Sequence, residues 1–238
     1  MQLLLISSSF VDGKGYLGHC RESVQEFLQS CPEGEVVFIP YATYRQRWEE
    51  YRQTSQKFFD SIDQPMRSLH TCDDPAAYIR DAKIKAIFVT GGNTFLLLKT
   101  LQDLNLLEPI KERVKNGVGY MGTSAGINVA CPTIQTTNDM PIVDPVDFKA
   151  LNFVNFQVNA HYIPGVPTPG FQGESREERI GEYHVMNETP VIGLPEPTWI
   201  RVRDDNIRLE GEKAATVFEK GLPERVWHTG TELYLGAN

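Results

Sequence analysis

The chain's 238 residues, 41% hydrophobic and 23% charged, are enough to enclose a substantial core in one domain over 1–238, with nothing that requires a second. A net charge of −8 with no clustered basic face argues against nucleic acid as a partner. No apolar run approaches the ~18 residues of a membrane helix, and the start, Met1-Gln2-Leu3-Leu4-Leu5-Ile6-Ser7, has neither a basic leader region nor a small-residue cleavage site. No membrane contact and a cytoplasmic location are therefore expected. Cys20, Cys31, Cys72 and Cys131 are scattered, with no C-x-x-C and no close pairing with histidine, which points to reduced thiols and against a zinc site.

In chain order, residues 3–7 read as a buried first strand, and Ser7-Ser8-Ser9 opens a loop. Val24, Phe27 and Leu28 give helical spacing over about 18–29. Residues 35–39 form the next strand, ended by Pro40, and 45–60 is an amphipathic helix. Its Trp48, Tyr51, Phe58 and Phe59 either cover the sheet or line a pocket. A short strand at 66–69, a helix from 74 or 75 to about 82, and a strongly β run at 84–89 follow. Strands alternating with helices imply a mostly parallel sheet covered on both faces.

The loop Thr90-Gly91-Gly92-Asn93-Thr94 comes directly after that run and before an apolar helix at 95–101. Paired glycines let backbone N–H groups approach a ligand closely, as an oxyanion hole requires. The bland alternatives are a phosphate loop or a plain helix entry near Thr94. The loop has neither G-x-G-x-x-G nor the Walker lysine.

Residues 117–132 are the most informative stretch. Val118 to Met121 reads as a buried strand, and the small apolar residues 125–131 read as a helix stopped by Pro132. Between them lies Gly122-Thr123-Ser124-Ala125-Gly126, a G-x-S-x-G in the strand-to-helix context of a nucleophile elbow. On such a turn the serine backbone is strained with Oγ pointing out, and the glycines leave no Cβ to collide with the neighbouring strand or helix. The following helix aims its free N–H groups at the same spot. A tight turn in which Ser124 merely caps the helix is the alternative. Both glycine loops follow parallel strands, so they lie together at the strands' carboxyl ends.

Beyond the elbow, residues 136–145 are polar and irregular, of the kind that carry function or close turns. A strand at about 153–158 delivers Asn159-Ala160-His161. Of the five histidines, only His161 ends an apolar run just past the elbow, where a general base is wanted; a structural role is its alternative. The Pro- and Gly-rich stretch 162–171 is a surface loop able to act as a lid. A charged helix then runs from about 173 to 186, and a strand at 191–194 ends in Pro195-Glu196-Pro197, where an exposed carboxylate calls for a partner. The remainder, at 200–203, 207–209, 216–218 and 225–227, alternates like antiparallel strands and is expected to form an edge sheet closing the domain.

Gly91-Gly92-Asn93-Thr94-Phe95, Thr123-Ser124-Ala125-Gly126, the run 130–145 around Asp139, Asn159-Ala160-His161, Gly173-Glu174-Ser175-Arg176-Glu177 and Gly193-Leu194-Pro195-Glu196 together closely resemble peptidase E, the α-aspartyl dipeptidase family of serine peptidases. The resemblance extends from the first strand to about Val202. It implies an α/β fold of the class I glutamine amidotransferase-like group, a three-layer α/β/α sandwich, forming a single peptidase domain. It also implies hydrolysis of dipeptides with an N-terminal aspartate, with no metal; no cofactor is expected, and the chain is expected to be a monomer or homodimer.

Carried onto this chain, the resemblance makes Ser124 the nucleophile and His161 the general base. Asp139 and Glu196 both match acidic positions, and which of them meets His161 Nδ1 is open; the order Ser124, Asp139, His161 would mirror the α/β-hydrolases, whereas Ser124, His161, Glu196 would be another solution to the same geometry. The N–H groups of Gly92 and Ala125 would hold the oxyanion. Arg176, unless it is a solvated helix-face residue, would pair the aspartate carboxylate. Asn93 joins it as a substrate-binding candidate, and Asp139 would take the ammonium if Glu196 orients His161. One departure is Thr90, which stands where the family pattern has a third glycine. The rival readings are a cyanophycinase-like enzyme, needing an open groove with acidic groups for arginine side chains, and a non-enzymatic binding protein with Ser124 inert. An amidotransferase would carry Cys at position 124.

Overall fold

The computed structural model describes residues 1–165 and 173–235. The chain begins with β1 (Gln2–Ile6), a small hairpin of β2 (Phe10–Val11) and β3 (Gly15–Tyr16), α1 (Arg21–Ser30), β4 (Glu35–Ile39), α2 (Trp48–Asp60), β5 (Met66–Ser68) and α3 (Pro75–Asp81). Next come β6 (Ile84–Val89), α4 (Thr94–Asp103), α5 (Leu107–Lys115), β7 (Gly119–Thr123) and the short α6 (Ala125–Asn128). After a long irregular segment follow β8 (Gln157–Ala160), α7 (Arg176–Met186), β9 (Val191–Leu194), β10 (Thr198–Arg203), β11 (Asn206–Gly211), β12 (Ala215–Phe218) and β13 (Arg225–Trp227).

The central sheet has seven strands in the order β11-β10-β1-β7-β6-β4-β5. Its strands β1, β7, β6, β4 and β5 are mutually parallel, and β10 and β11 close one edge antiparallel. Parallel neighbours need crossover helices, which cover both faces, so these strands are continuous apolar runs. Period-two alternation divides them between two cores. Leu3 and Leu5 pack with Ile79 of α3, Leu97 and Leu101 of α4 and Ile110 of α5. Leu4 and Ile6 pack on the other face with Val24 and Phe27 of α1 and Phe58 and Phe59 of α2. The result is the three-layer α/β/α arrangement. No helix among the described residues is long and apolar enough to cross a membrane.

Several elements differ from the sequence expectation. The presumed edge sheet divides, because β10 and β11 extend the central sheet while β12 and β13 join β9 and β8 in a separate four-stranded sheet, β13-β12-β9-β8. The strand expected at 153–158 forms instead at Gln157–Ala160; Phe153 and Phe156 are buried from a loop. Helix α6 ends at Asn128, tightening into i→i+3 bonds from Ala130 N–H to Ile127 at 2.9 Å and from Cys131 N–H to Asn128 at 3.3 Å. Helix α5 and the β2–β3 hairpin add to the elements expected from the sequence. Of the possible lid at 162–171, residues 166–171 lie outside the described residues.

Candidate active site

Ser124 joins β7 to α6 with φ 50° and ψ −109°, a region in which an L-residue is strained. The turn is pinned on both sides: Ser124 N–H donates to Ile6 O at 3.1 Å, and Ser124 O accepts from Ile127 N–H at 2.8 Å. The flanking glycines are sterically required. A Cβ on Gly122 would lie 2.5 Å from Gly126 O, and one on Gly126 would lie 2.3 Å from Val89 O, so Gly122 lets the turn close on α6 and Gly126 lets α6 press on β6. The second glycine loop meets the first. A Cβ on Gly91 would be 3.0 Å from Ser124 Cβ, and Gly92, at φ 141°, leaves no room for a Cβ against Ala42 O, 2.3 Å away. The N–H groups of Gly92 and Ala125 donate to no protein acceptor among the described residues.

Ser124 Oγ lies 2.7 Å from His161 Nε2, and His161 Nδ1 is hydrogen-bonded to Glu196 Oε1. Sheet register explains the meeting of residues so far apart in sequence. Strands β8 and β9 are parallel neighbours with Ala160 opposite Leu194, so the residues just beyond them emerge side by side. Ser7, at the end of β1, braces the junction: its Oγ donates to Leu194 O at 2.9 Å and accepts from His161 N–H at 3.2 Å. From sequence, Ser7 is expected only to end the first strand and open a loop. The side chains of His161 and Glu196 are 42% and 38% exposed, so solvent reaches the pair.

Asp139 stands elsewhere. Its Oδ2 accepts from Thr94 N–H at 2.8 Å, Thr94 Oγ1 at 2.5 Å and Thr137 Oγ1 at 3.1 Å, which places its charge at the N-terminus of α4. His161 is not among its partners, so the Ser124, Asp139, His161 alternative does not describe these contacts. Asn93 is also engaged: its Oδ1 caps α4 by accepting from Leu96 N–H at 3.0 Å, and its Nδ2 donates to Met140 O at 2.8 Å. That occupies both ends of the amide proposed for substrate. Arg176 is the first residue of α7, inside the Ser175–Glu178 capping box. Its Nη1 is buried with no partner among the described residues, and burial, then the nearby Arg179, lowers its pKa.

A cavity of about 400 Å³ lies over Ser124, floored by Thr90, Gly91, Gly92, Ser124 and His161. Its walls come from Ser8, Ser9, Phe10 and Tyr16 near the N-terminal hairpin and from Arg47, Glu50, Tyr51 and Thr54 at and within α2. Of these wall residues, the sequence points only to Tyr51, as one of the aromatic residues that could line a pocket. The available signals were the Ser7-Ser8-Ser9 cluster and the aromatic residues mixed with charges over 45–60.

An elbow serine, a histidine and a carboxylate joined in series are the parts of an acyl-transfer site. The sequence model of peptidase family S51 matches residues 3–210. The chain belongs to peptidase family S51. A protein of Nostoc sp. named peptidase E is 40% identical over 228 residues, covering 95% of this chain and 93% of its own length. Another named peptidase E, from Escherichia coli O6:K15:H31, is 44% identical over 222 residues, covering 93% and 95%. Among solved structures, a putative peptidase E protein from Listeria monocytogenes EGD-e aligns with a TM-score of 0.67 at 24% identity, over 89% of this chain and 98% of that one. A peptidase from an acI-B1 Actinobacterium gives 0.70 at 20% identity over 98% and 96%. At these identities the two structures speak to the fold alone.

As an S51 member the chain is a serine-type peptidase, and its thiols are poorly placed for chemistry. Burial pushes Cys20 and Cys131 up to about 12 and Cys31 up to about 11, and it raises Cys72 as well. Iodoacetamide at neutral pH is therefore expected to leave peptidase activity intact, whereas a serine-directed phosphonylating reagent abolishes it. Mass spectrometry of the treated protein checks both outcomes, and inactivation that tracks cysteine alkylation would contradict them.

Proposed function

We propose that this S51 peptidase hydrolyses dipeptides bearing an N-terminal aspartate through an acyl-enzyme on Ser124. The observation that carries the reading is the hydrogen-bonded series Ser124, His161, Glu196 beneath a cavity of about 400 Å³. The resemblance to the α-aspartyl dipeptidases supports the substrate class, and the name peptidase E borne by the relatives agrees with it.

In this mechanism Ser124 Oγ attacks the carbonyl carbon of the aspartyl residue as His161 Nε2 takes its proton. The oxyanion that forms accepts hydrogen bonds from the N–H groups of Gly92 and Ala125, and the Glu196 carboxylate holds the Nδ1–H tautomer and stabilises the imidazolium. The tetrahedral species collapses with cleavage of the C–N bond, and His161 returns the proton to the leaving amine. Water then attacks the ester, His161 accepting its proton and passing it to Ser124 Oγ, so that aspartate leaves and the serine is restored. The unpartnered Nη1 of Arg176 suits it to the aspartate side-chain carboxylate. Asp139 and Asn93 act through α4, whose N-terminal loop contains Gly92. A polymeric aspartyl-arginine substrate suits the cavity less well, since Glu50 is its one acidic lining residue among those described and is already paired with Arg47. Free cysteines suit a cytoplasmic setting.

The test is hydrolysis of Asp-Leu beside Asn-Leu, Glu-Leu and a tripeptide with internal aspartate, with and without a chelator. The expected result is cleavage of Asp-Leu alone, at a rate indifferent to chelation. Equal cleavage of Asn-Leu would remove the aspartate specificity from this reading, and loss of activity with the chelator would remove the mechanism.

A further inference from the structure

We propose that Arg47 reads the C-terminal carboxylate of the dipeptide, so that the wall of the Ser124 cavity, as well as its floor, selects the substrate. The inference rests on the aspartyl dipeptidase reading and adds what the leaving residue must carry. An Asp-Xaa dipeptide has a carboxylate on each side of the scissile bond. The C-terminal one lies within about one residue spacing, ~3.8 Å between Cα atoms, of the leaving nitrogen, so a cation lining the Ser124 cavity is within its reach. Arg47 is the only lysine or arginine among the described residues lining that cavity. Arg176, the candidate for the aspartate side chain, is not among them.

The chemistry of the Arg47 head group fits a second carboxylate. At the N-cap of α2, its Nε and Nη2 donate to Glu50 Oε2 and Oε1 at 2.9 and 2.8 Å, a two-pronged pair along one edge of the guanidinium. Its carbon lies 5.1 Å from the centroid of the Tyr51 ring, which covers one face. These contacts orient the plane yet leave Nη1 without an acceptor among the described residues. A guanidinium carries five N–H donors, so the edge formed by Nη1 and the second hydrogen of Nη2 stays open for another bidentate carboxylate. In a chain of net charge −8, such a local cation offsets the repulsion that an anionic peptide meets. Around it, Phe10 and Tyr16, with ring centroids 5.0 Å apart, together with Tyr51 offer apolar surface to the leaving side chain. The same arrangement explains selection for dipeptides, because a longer peptide or an amide presents no carboxylate at this position.

The experiment compares Asp-Leu with its C-terminal amide, Asp-Leu-NH2, for wild type, Arg47→Ala and Arg47→Lys. Wild type is expected to favour the acid. Arg47→Ala should lose about 10- to 100-fold in kcat/KM on Asp-Leu, mostly through KM, the scale of a hydrogen bond to a charged group. On the amide it should match wild type, and Arg47→Lys should fall between the two on Asp-Leu alone. Equal losses on both substrates, or no loss on either, would overturn the assignment of Arg47 while leaving the dipeptidase reading in place. Failure of wild type to cleave either substrate would overturn that reading and this one with it.

Discussion

Replacing Ser124 by alanine is expected to lower kcat for Asp-Leu by about a millionfold, the scale seen when the nucleophile of a serine hydrolase is deleted. The reason is structural as well as chemical. Among the described residues the one side-chain hydrogen-bond partner of Ser124 Oγ is His161 Nε2, so the variant loses the attacking atom and a single hydrogen bond. The strained φ of 50° is a property of the turn, held by backbone bonds to Ile6 and from Ile127, and alanine inherits it unchanged. The thermal midpoint should therefore stay at the wild-type value while activity vanishes, a combination that separates a chemical role from a structural one. His161→Ala should fall nearly as far, and the double variant no further, because the two side chains act as a unit. Retention of more than about a hundredth of wild-type kcat by Ser124→Ala would remove the serine from the mechanism, since no residual donor or positioning effect compensates for a missing nucleophile on that scale.

The elbow was legible in the sequence because its constraints are local. Gly122 and Gly126 are needed by atoms only a few residues away or on the adjacent strand, and the apolar runs of β1, β4, β6 and β7 announce strands buried on both faces. The choice between Asp139 and Glu196 was not legible, because it depends on a pairing between β8 and β9 in a sheet whose existence the sequence did not disclose. Alternation in 200–227 identifies extended chain but carries no information about which sheet a strand joins. Helix α5 is unannounced in the sequence for a related reason: its N-cap, Leu106, supplies no side-chain hydrogen bond, so the usual start signal is missing. The cavity wall was obscured by superposition. In α2, Phe58 and Phe59 serve the core while Tyr51 and Thr54 face the cavity, and an amphipathic pattern sums both demands without separating them.

Glu196→Gln is expected to reduce kcat for Asp-Leu by about 100- to 1,000-fold, with the folded state little changed. Neutralising the buried carboxylate of a comparable triad costs about ten-thousandfold, mainly because the amide donates to Nδ1 and turns the imidazole to the wrong tautomer. Here the pair is 42% and 38% exposed, and water competes for both nitrogens, which places the loss lower on that scale. The same argument predicts that Glu196→Ala retains more activity than Glu196→Gln, because water in the vacated space can accept from Nδ1–H as an amide nitrogen cannot. Asp139→Ala should show the converse profile. It removes the acceptor of Thr94 N–H and the negative charge at the start of α4, a loss of about 1–3 kcal/mol. For a chain of this length that lowers the thermal midpoint by roughly 2–4 °C per kcal/mol, while kcat falls less than about tenfold, through the Gly92 loop alone. Measuring kcat and the thermal midpoint for all three variants decides between the acids. A collapse of kcat in Asp139→Ala with its midpoint unmoved would transfer the orienting role from Glu196 to Asp139 and require His161 to swing toward α4 in the working enzyme.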